Sequence, residues 1–173
     1  MRMSERKGQE EIVGFVAIVL LVTVIAIIFL GISANKEPAT QKESKDISRF
    51  LESVMIYTTD CALGYEPNYL TPKDLLKECY SNKGKKCLDE KEVCSALNET
   101  MLLVLGSSWT VGEEAKTKGY LFKSVYSKNS SKLDGEEILK LGKGNCSSGS
   151  YIEGDNFFSV YPGTITSSLR ICY

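Results

Sequence analysis

The sequence predicts an α+β protein: a hydrophobic transmembrane helix, then a disulfide-stapled head with short helices first and a C-terminal antiparallel β-sheet after. Three observations predict it. From Ile12 to Asn35 no side chain is charged and nearly every one is aliphatic or aromatic. All six cysteines lie between Cys61 and Cys172, beyond that stretch. Apolar residues recur at helical spacing up to about position 105, and strand-like alternation follows. These changes divide the chain into a basic leader over 1–8, a hydrophobic helix over 9–36, an amphipathic helix over 37–60 and a cysteine-rich head over 61–173.

The charge-free run holds 24 residues. As a helix it would extend about 36 Å, enough to cross a hydrocarbon core of about 30 Å. Its many β-branched residues do not oppose a helix there, because in lipid the backbone must satisfy its own hydrogen bonds. A buried core helix would rarely stay apolar for so long. A cleaved secretory signal is the other alternative. The run exceeds the usual apolar core of such a signal, yet Gly31-Ile32-Ser33 before Ala34 has the small-x-small form of a cleavage site. Basic residues do not decide the orientation, since Arg2, Arg6 and Lys7 precede the run while Lys36, Lys42, Lys45 and Arg49 follow it.

The cysteines do decide it. An even number confined to one side reads as disulfides made in an oxidising compartment, which puts the C-terminal head outside the cell membrane as a single-pass protein. A structural zinc site would need closer thiolate pairs than the spacings Cys61, Cys79, Cys87, Cys94, Cys146 and Cys172 offer, and the chain has no histidine. The expected pairing joins Cys146 to Cys172 and leaves the other four to pair among themselves. The apolar run makes membrane lipid an expected partner, and Lys and Arg at 21 against 22 Asp and Glu give no electrostatic reason to expect nucleic acid.

The flank of the hydrophobic run carries a further pattern. Arg6-Lys7-Gly8-Gln9-Glu10-Glu11 leads directly into Ile12-Val13-Gly14-Phe15. This resembles the class III signal of type IV pilin-like proteins, especially archaeal ones, over about the first 33 residues. The resemblance implies that a prepilin peptidase-like enzyme cuts after Gly8, that the mature chain starts at Gln9, and that the retained helix packs with its copies in a filament core. Many members carry glutamate at the fifth mature position, where this chain has Val13. Glu10 and Glu11 stand second and third. They either take over the glutamate's role, compensating a neighbour's terminal amine during assembly, or stay in the headgroup layer. Gly14, Ala17, Ala26 and Gly31 offer small surfaces for helix approach without a clean G-x3-G spacing.

Glu37-Pro38 should end or kink the first helix. Thr40 to Glu43 has the form of a capping box for a second one, with Ile47, Phe50, Leu51, Val54, Met55 and Thr58 on its apolar face. In a pilin-like protein this is the outer half of the stalk helix, laid against the head. Gly64 to Asn68 reads as a turn. Thr71-Pro72-Lys73-Asp74 opens a short helix that turns Leu75, Leu76 and Cys79 inward. Asp89 is the expected cap of the next helix, with Glu92 in the reciprocal position and Leu88 stapled to Val93. Val93, Leu97, Met101 and Val104 form its buried stripe, and Gly106 ends it.

Strands are expected at 108–111 and 119–127, the latter with Tyr120, Phe122 and Tyr126 on one face, and at 136–141. Phe157 to Tyr161, Pro162-Gly163 and Thr164 to Tyr173 read as a hairpin. Its last strand turns Ile165, Leu169, Ile171 and Tyr173 one way and Thr166, Ser168, Arg170 and Cys172 the other.

Little in the head points to catalysis, and no cofactor or metal is expected. Without histidine the usual serine or cysteine triads cannot be built. Glu113-Glu114 and Glu136-Glu137 are adjacent acids in turn-like contexts, whereas a general acid and base need opposed positions. Gly142-Lys143-Gly144 lacks a P-loop framework. Trp109 and nine tyrosines could build a binding surface or pack across strands. Asn98, Asn129 and Asn145 head Asn-x-Ser/Thr sequons. Asn129 lies in a polar loop and is the best glycan acceptor of the three; Asn98 falls mid-helix, and Cys146 disfavours Asn145.

The expected function is therefore structural: a pilin-like subunit of a cell-surface filament, for adhesion or attachment, and no enzyme. The alternative is a monomeric signal-anchored protein whose head binds something at the cell surface.

Overall fold

In a computed structural model the described residues are 4–34, 39–64, 68–128, 135–147 and 149–173. They form α1 (Ser4–Ala34), α2 (Ala39–Met55), α3 (Pro72–Ser81) and α4 (Val93–Ser108), then β1 (Gly119–Ser127), β2 (Glu136–Gly144), β3 (Tyr151–Val160) and β4 (Gly163–Cys172). The chain divides into two compact units, residues 1–38 and 39–173. The first consists of α1, whose side chains are described from Val13 to Leu30. Its large apolar side chains there are 44–69% exposed on every side. This helix is long and apolar enough to cross a membrane. It runs back to Ser4, so the backbone of the expected leader is helical from that residue on; the Glu37-Pro38 break lies outside the described residues.

The second unit is α+β. Its sheet is wholly antiparallel, in the order β2-β1-β4-β3, with the two longest-paired strands at the centre. Helices α2, α3 and α4 bury Leu51, Leu75, Leu76, Leu97, Met101 and Leu105 against Phe122, Ile165, Leu169 and Ile171. Alternation in β1 and β4 puts those residues on one sheet face. Ser124 and Ser167 lie among them fully buried, and each satisfies the other through a hydroxyl contact of 3.0 Å. The opposite face carries the ion pairs Lys123–Glu137 and Arg170–Glu153. Phe157 protrudes there, 75% exposed.

Helix α2 covers both the face and the outer edge of β3. The Ser44 hydroxyl donates to the carbonyl of Glu153 at 2.5 Å, and the Asp155 amide donates to the Ser48 hydroxyl at 3.1 Å. An added Cβ on Gly154 would fall 2.7 Å from the Ser48 nitrogen and 2.8 Å from the Ser44 carbonyl oxygen, so only glycine permits this approach. The helix thereby closes hydrogen-bonding groups that an edge strand would otherwise leave open. The other edge, β2, carries Glu136, Glu137, Lys140 and Lys143 toward solvent.

Several boundaries differ from the sequence reading. Helix α2 starts at Ala39, so Thr40 lies inside it rather than capping it, and it stops at Met55. Thr58 is exposed, and the buried residue is Thr59, whose hydroxyl donates to the Leu70 carbonyl at 2.7 Å. Helix α4 starts at Val93 with Glu92 as its cap, not at Asp89. The Asp89 carboxylate instead accepts the Lys91 amide at 3.2 Å, inside a tight turn in which the Glu90 amide reaches the Cys87 carbonyl. Leu88 is 55% exposed, so the staple to Val93 does not form.

Gly106 does not end α4. The Ser107 and Ser108 hydroxyls bond back to carbonyls one turn earlier and the Trp109 amide reaches Leu105, which carries the helix to Ser108. The strand expected at 108–111 is therefore absent, and only Val111 makes a single bridge, to Thr117. Val104 is half-buried, and Ala96 and Leu105 complete the stripe. Strand β2 continues past 141 to Gly144, and β3 begins at Tyr151 rather than Phe157. Part of the turn expected at 64–68 lies outside the described residues; its flanks pair through Ala62 and Tyr69. Thr71 caps α3 in the expected way, with Asp74 completing the box and Pro72 at the first position.

Candidate functional site

Two regions carry the residues singled out by sequence. The first is the start of α1. Gly8, Gln9, Glu10 and Glu11 lie on its helical backbone, and their side chains are outside the described residues. Gly14 follows with open space where a side chain would stand. Beyond it the helix is apolar all round, so no stripe selects one partner face.

The second region is the head, closed by three disulfides. Cys146 pairs with Cys172, Cys61 with Cys87 and Cys79 with Cys94. The pairing expected for Cys146 is the one found. Cys79–Cys94 ties α3 to α4, whereas Cys61–Cys87 ties the segment after α2 to the turn before α4. Cys146–Cys172 fixes the turn after β2 to the end of β4. No cysteine is free.

The acidic pairs are engaged singly. Glu136 pairs with Lys83 at 3.3 Å and Glu137 with Lys123 at 3.9 Å, while the backbone carbonyl of Glu113 accepts Lys118. Among the described residues no group of three acids or cysteines could hold a metal ion. The Asp74 carboxyl is raised by burial, but hydrogen bonds from Thr71 and Lys77 outweigh this and hold it below the usual carboxylate range. Burial and the neighbouring Glu153 charge push Asp155 the other way.

The aromatic residues serve mainly as packing. Trp109 sits edge-on to Phe50 at 4.7 Å, and Tyr80 stacks on Tyr126 at 4.1 Å. Arg170 lies over Tyr151 while bonding Glu153, a surface cluster that cross-strand register assembles from β3 and β4. Sequence reading missed that cluster and the Ser44–Ser48–Gly154 seat, because both depend on which residues face each other across elements. Two aromatic side chains remain bare near the β3–β4 turn: Phe157, and Tyr161 at 98% exposure.

A shallow hollow of about 200 Å³ lies between the chain after α2 and α4, lined by residues including Tyr57, Asp60, Lys91, Glu99 and Leu103. Lys91 and Glu99 pair across it at 2.6 Å, and Asp60 and Asp89 add two further carboxylates to its lining. Of the sequons, Asn98 is half-buried in α4, Asn145 is exposed after β2, and Asn129 lies outside the described residues. Compared with known proteins, the chain matches no protein-family model, no curated protein and no solved structure.

Proposed function

We propose that the chain is a structural, pilin-like subunit of a cell-surface filament, anchored by α1 before assembly and carrying its head outside the cell for adhesion or attachment. The observation that carries this reading is the pairing of unlike units. One is a helix apolar on every side; the other is a head with a buried core and every cysteine bridged. An all-round apolar helix needs lipid or other apolar helices about it. Three disulfides fit an oxidising exterior. The seating of α2 on β3 fits the outer part of a stalk laid against its head.

Processing after Gly8 converts the anchor into an assembly element, with Gln9 at the mature terminus and Glu10 and Glu11 near the helix start. The helix partners are then copies of itself, and the earlier partners are membrane lipid and a prepilin peptidase-like enzyme. Replacing Gly8 by leucine tests this in cells that make the full chain. Shearing should release wild-type chain as polymer and leave the Gly8→Leu chain in the membrane pellet. Equal release of both, or no polymer from the wild type, contradicts the reading.

A further inference from the structure

The sequon at Asn145 has a geometry that the sequence reading could not assess. N-glycosylation uses the side-chain amide nitrogen of asparagine as its nucleophile and needs a residue that can be offered to an enzyme and then carry a bulky group into solvent. We propose that Asn145 is an N-glycan acceptor of the head. This rests on the reading above, because the donor sugars and the transferase must meet an exported chain.

The first support is local conformation. The Asn145 Oδ1 accepts the Ser147 amide at 2.8 Å, closing an Asx turn over the three residues of the sequon itself. With the carbonyl oxygen held by the backbone, Nδ2 has no hydrogen-bond partner among the described residues. The same hydrogen bond draws electron density from the amide and makes its N–H more acidic. Because the contact spans two residues, it can form before the sheet does.

The second support is the setting in the finished fold. Asn145 is exposed, and its own amide donates to the Lys118 carbonyl at 3.0 Å. Gly144, at a φ of 77°, turns the chain out of β2 just before it. The Cys146–Cys172 bridge then pins the turn to the end of β4. Asn145 itself lines an open groove of about 600 Å³, together with Val111, Gly112, Glu113, Lys118, Lys143 and Gly144. That volume is in the range of small-ligand clefts and accommodates the first sugar against the head.

Asn98 provides the contrast. It sits within α4, where the amide two residues on belongs to the helix ladder and no Asx turn can close; the intervening Glu99 is tied to Lys91 at 2.6 Å.

The reaction is a substitution at the sugar's anomeric carbon. The C1–O bond to a lipid-linked phosphate breaks and the C1–Nδ2 bond forms. One amide proton passes to a base of the transferase, and the lipid phosphate leaves with the electron pair.

The test is a peptide map of the chain from the cells that naturally make it. After reduction, trypsin releases residues 144–170. The expected result is that this peptide carries an added mass and yields sugar fragment ions. Both should vanish in Asn145→Asp, which keeps Oδ1 for the Ser147 amide but lacks the nucleophilic nitrogen. A bare wild-type peptide, or an added mass that persists in Asn145→Asp, overturns the proposal. A parallel map without reduction separates the causes. Bare Asn145 with Cys146–Cys172 formed defeats the acceptor assignment alone, whereas bare Asn145 with free thiols also defeats the exported head.

Discussion

At Gly154 the missing side chain lets α2 approach β3 until the Ser44 and Ser48 hydroxyls reach the strand's outer backbone groups. Valine there would force the helix away and break both hydrogen bonds. Overpacking of this kind costs about 1–3 kcal/mol. Gly154→Val should therefore lower the urea midpoint of the detergent-solubilised chain, and an unchanged midpoint would show that the seat is not held tightly. Asp74 makes a second residue-scale case. Its folded pKa lies below the ordinary value, so its stabilising contribution is complete above the unfolded pKa, about 3.9, and is lost as pH falls through the lower folded value. Wild type should lose more stability than Asp74→Asn on acidification below about pH 4. Parallel loss in the two chains, followed by unfolding midpoints across pH, would contradict the assignment.

Elements were legible in the sequence where their signals are local. Thr71, Pro72 and Asp74 announce α3 because every bond of that cap lies within four residues. The alternation in β1 and β4 announces strands because both are central and present a buried face. Asp89 looks equally like a cap, but the turn beside the Cys61–Cys87 bridge takes its carboxylate for the Lys91 amide. The region after Gly106 resembles a strand in composition, yet serine back-bonding extends α4 through it. Such outcomes depend on competing local bonds that residue types alone do not rank. The Cys146–Cys172 pair was legible because the last strand and the loop near it are the only late cysteine positions; the two earlier bridges required the fold. Replacing Cys146 and Cys172 by alanine removes a closure spanning 26 residues. The chain-entropy model puts the loss at about 3.5 kcal/mol. The double variant should unfold at correspondingly lower urea under non-reducing conditions; a shift within error would mean that the β4 end is held by its sheet partners alone.

Across the whole molecule, the sequence foresaw an apolar helix ahead of a compact α+β, disulfide-bridged head, and the structure has both. The candidate site was less legible. Gly8 to Glu11 lie on helical backbone with side chains outside the described residues, and the described residues of the head show ion pairs and packed aromatics. The account's central claim is that α1 is kept and reused as the assembly element after a cut at Gly8. Sequencing the N-terminus of the chain, from sheared filaments and from membranes separately, tests that claim most directly. A start at Gln9 in the filament fraction is the predicted result. An intact leader found only in membranes would leave a monomeric anchor, and a start at Ala34 would remove the helix altogether and contradict the account.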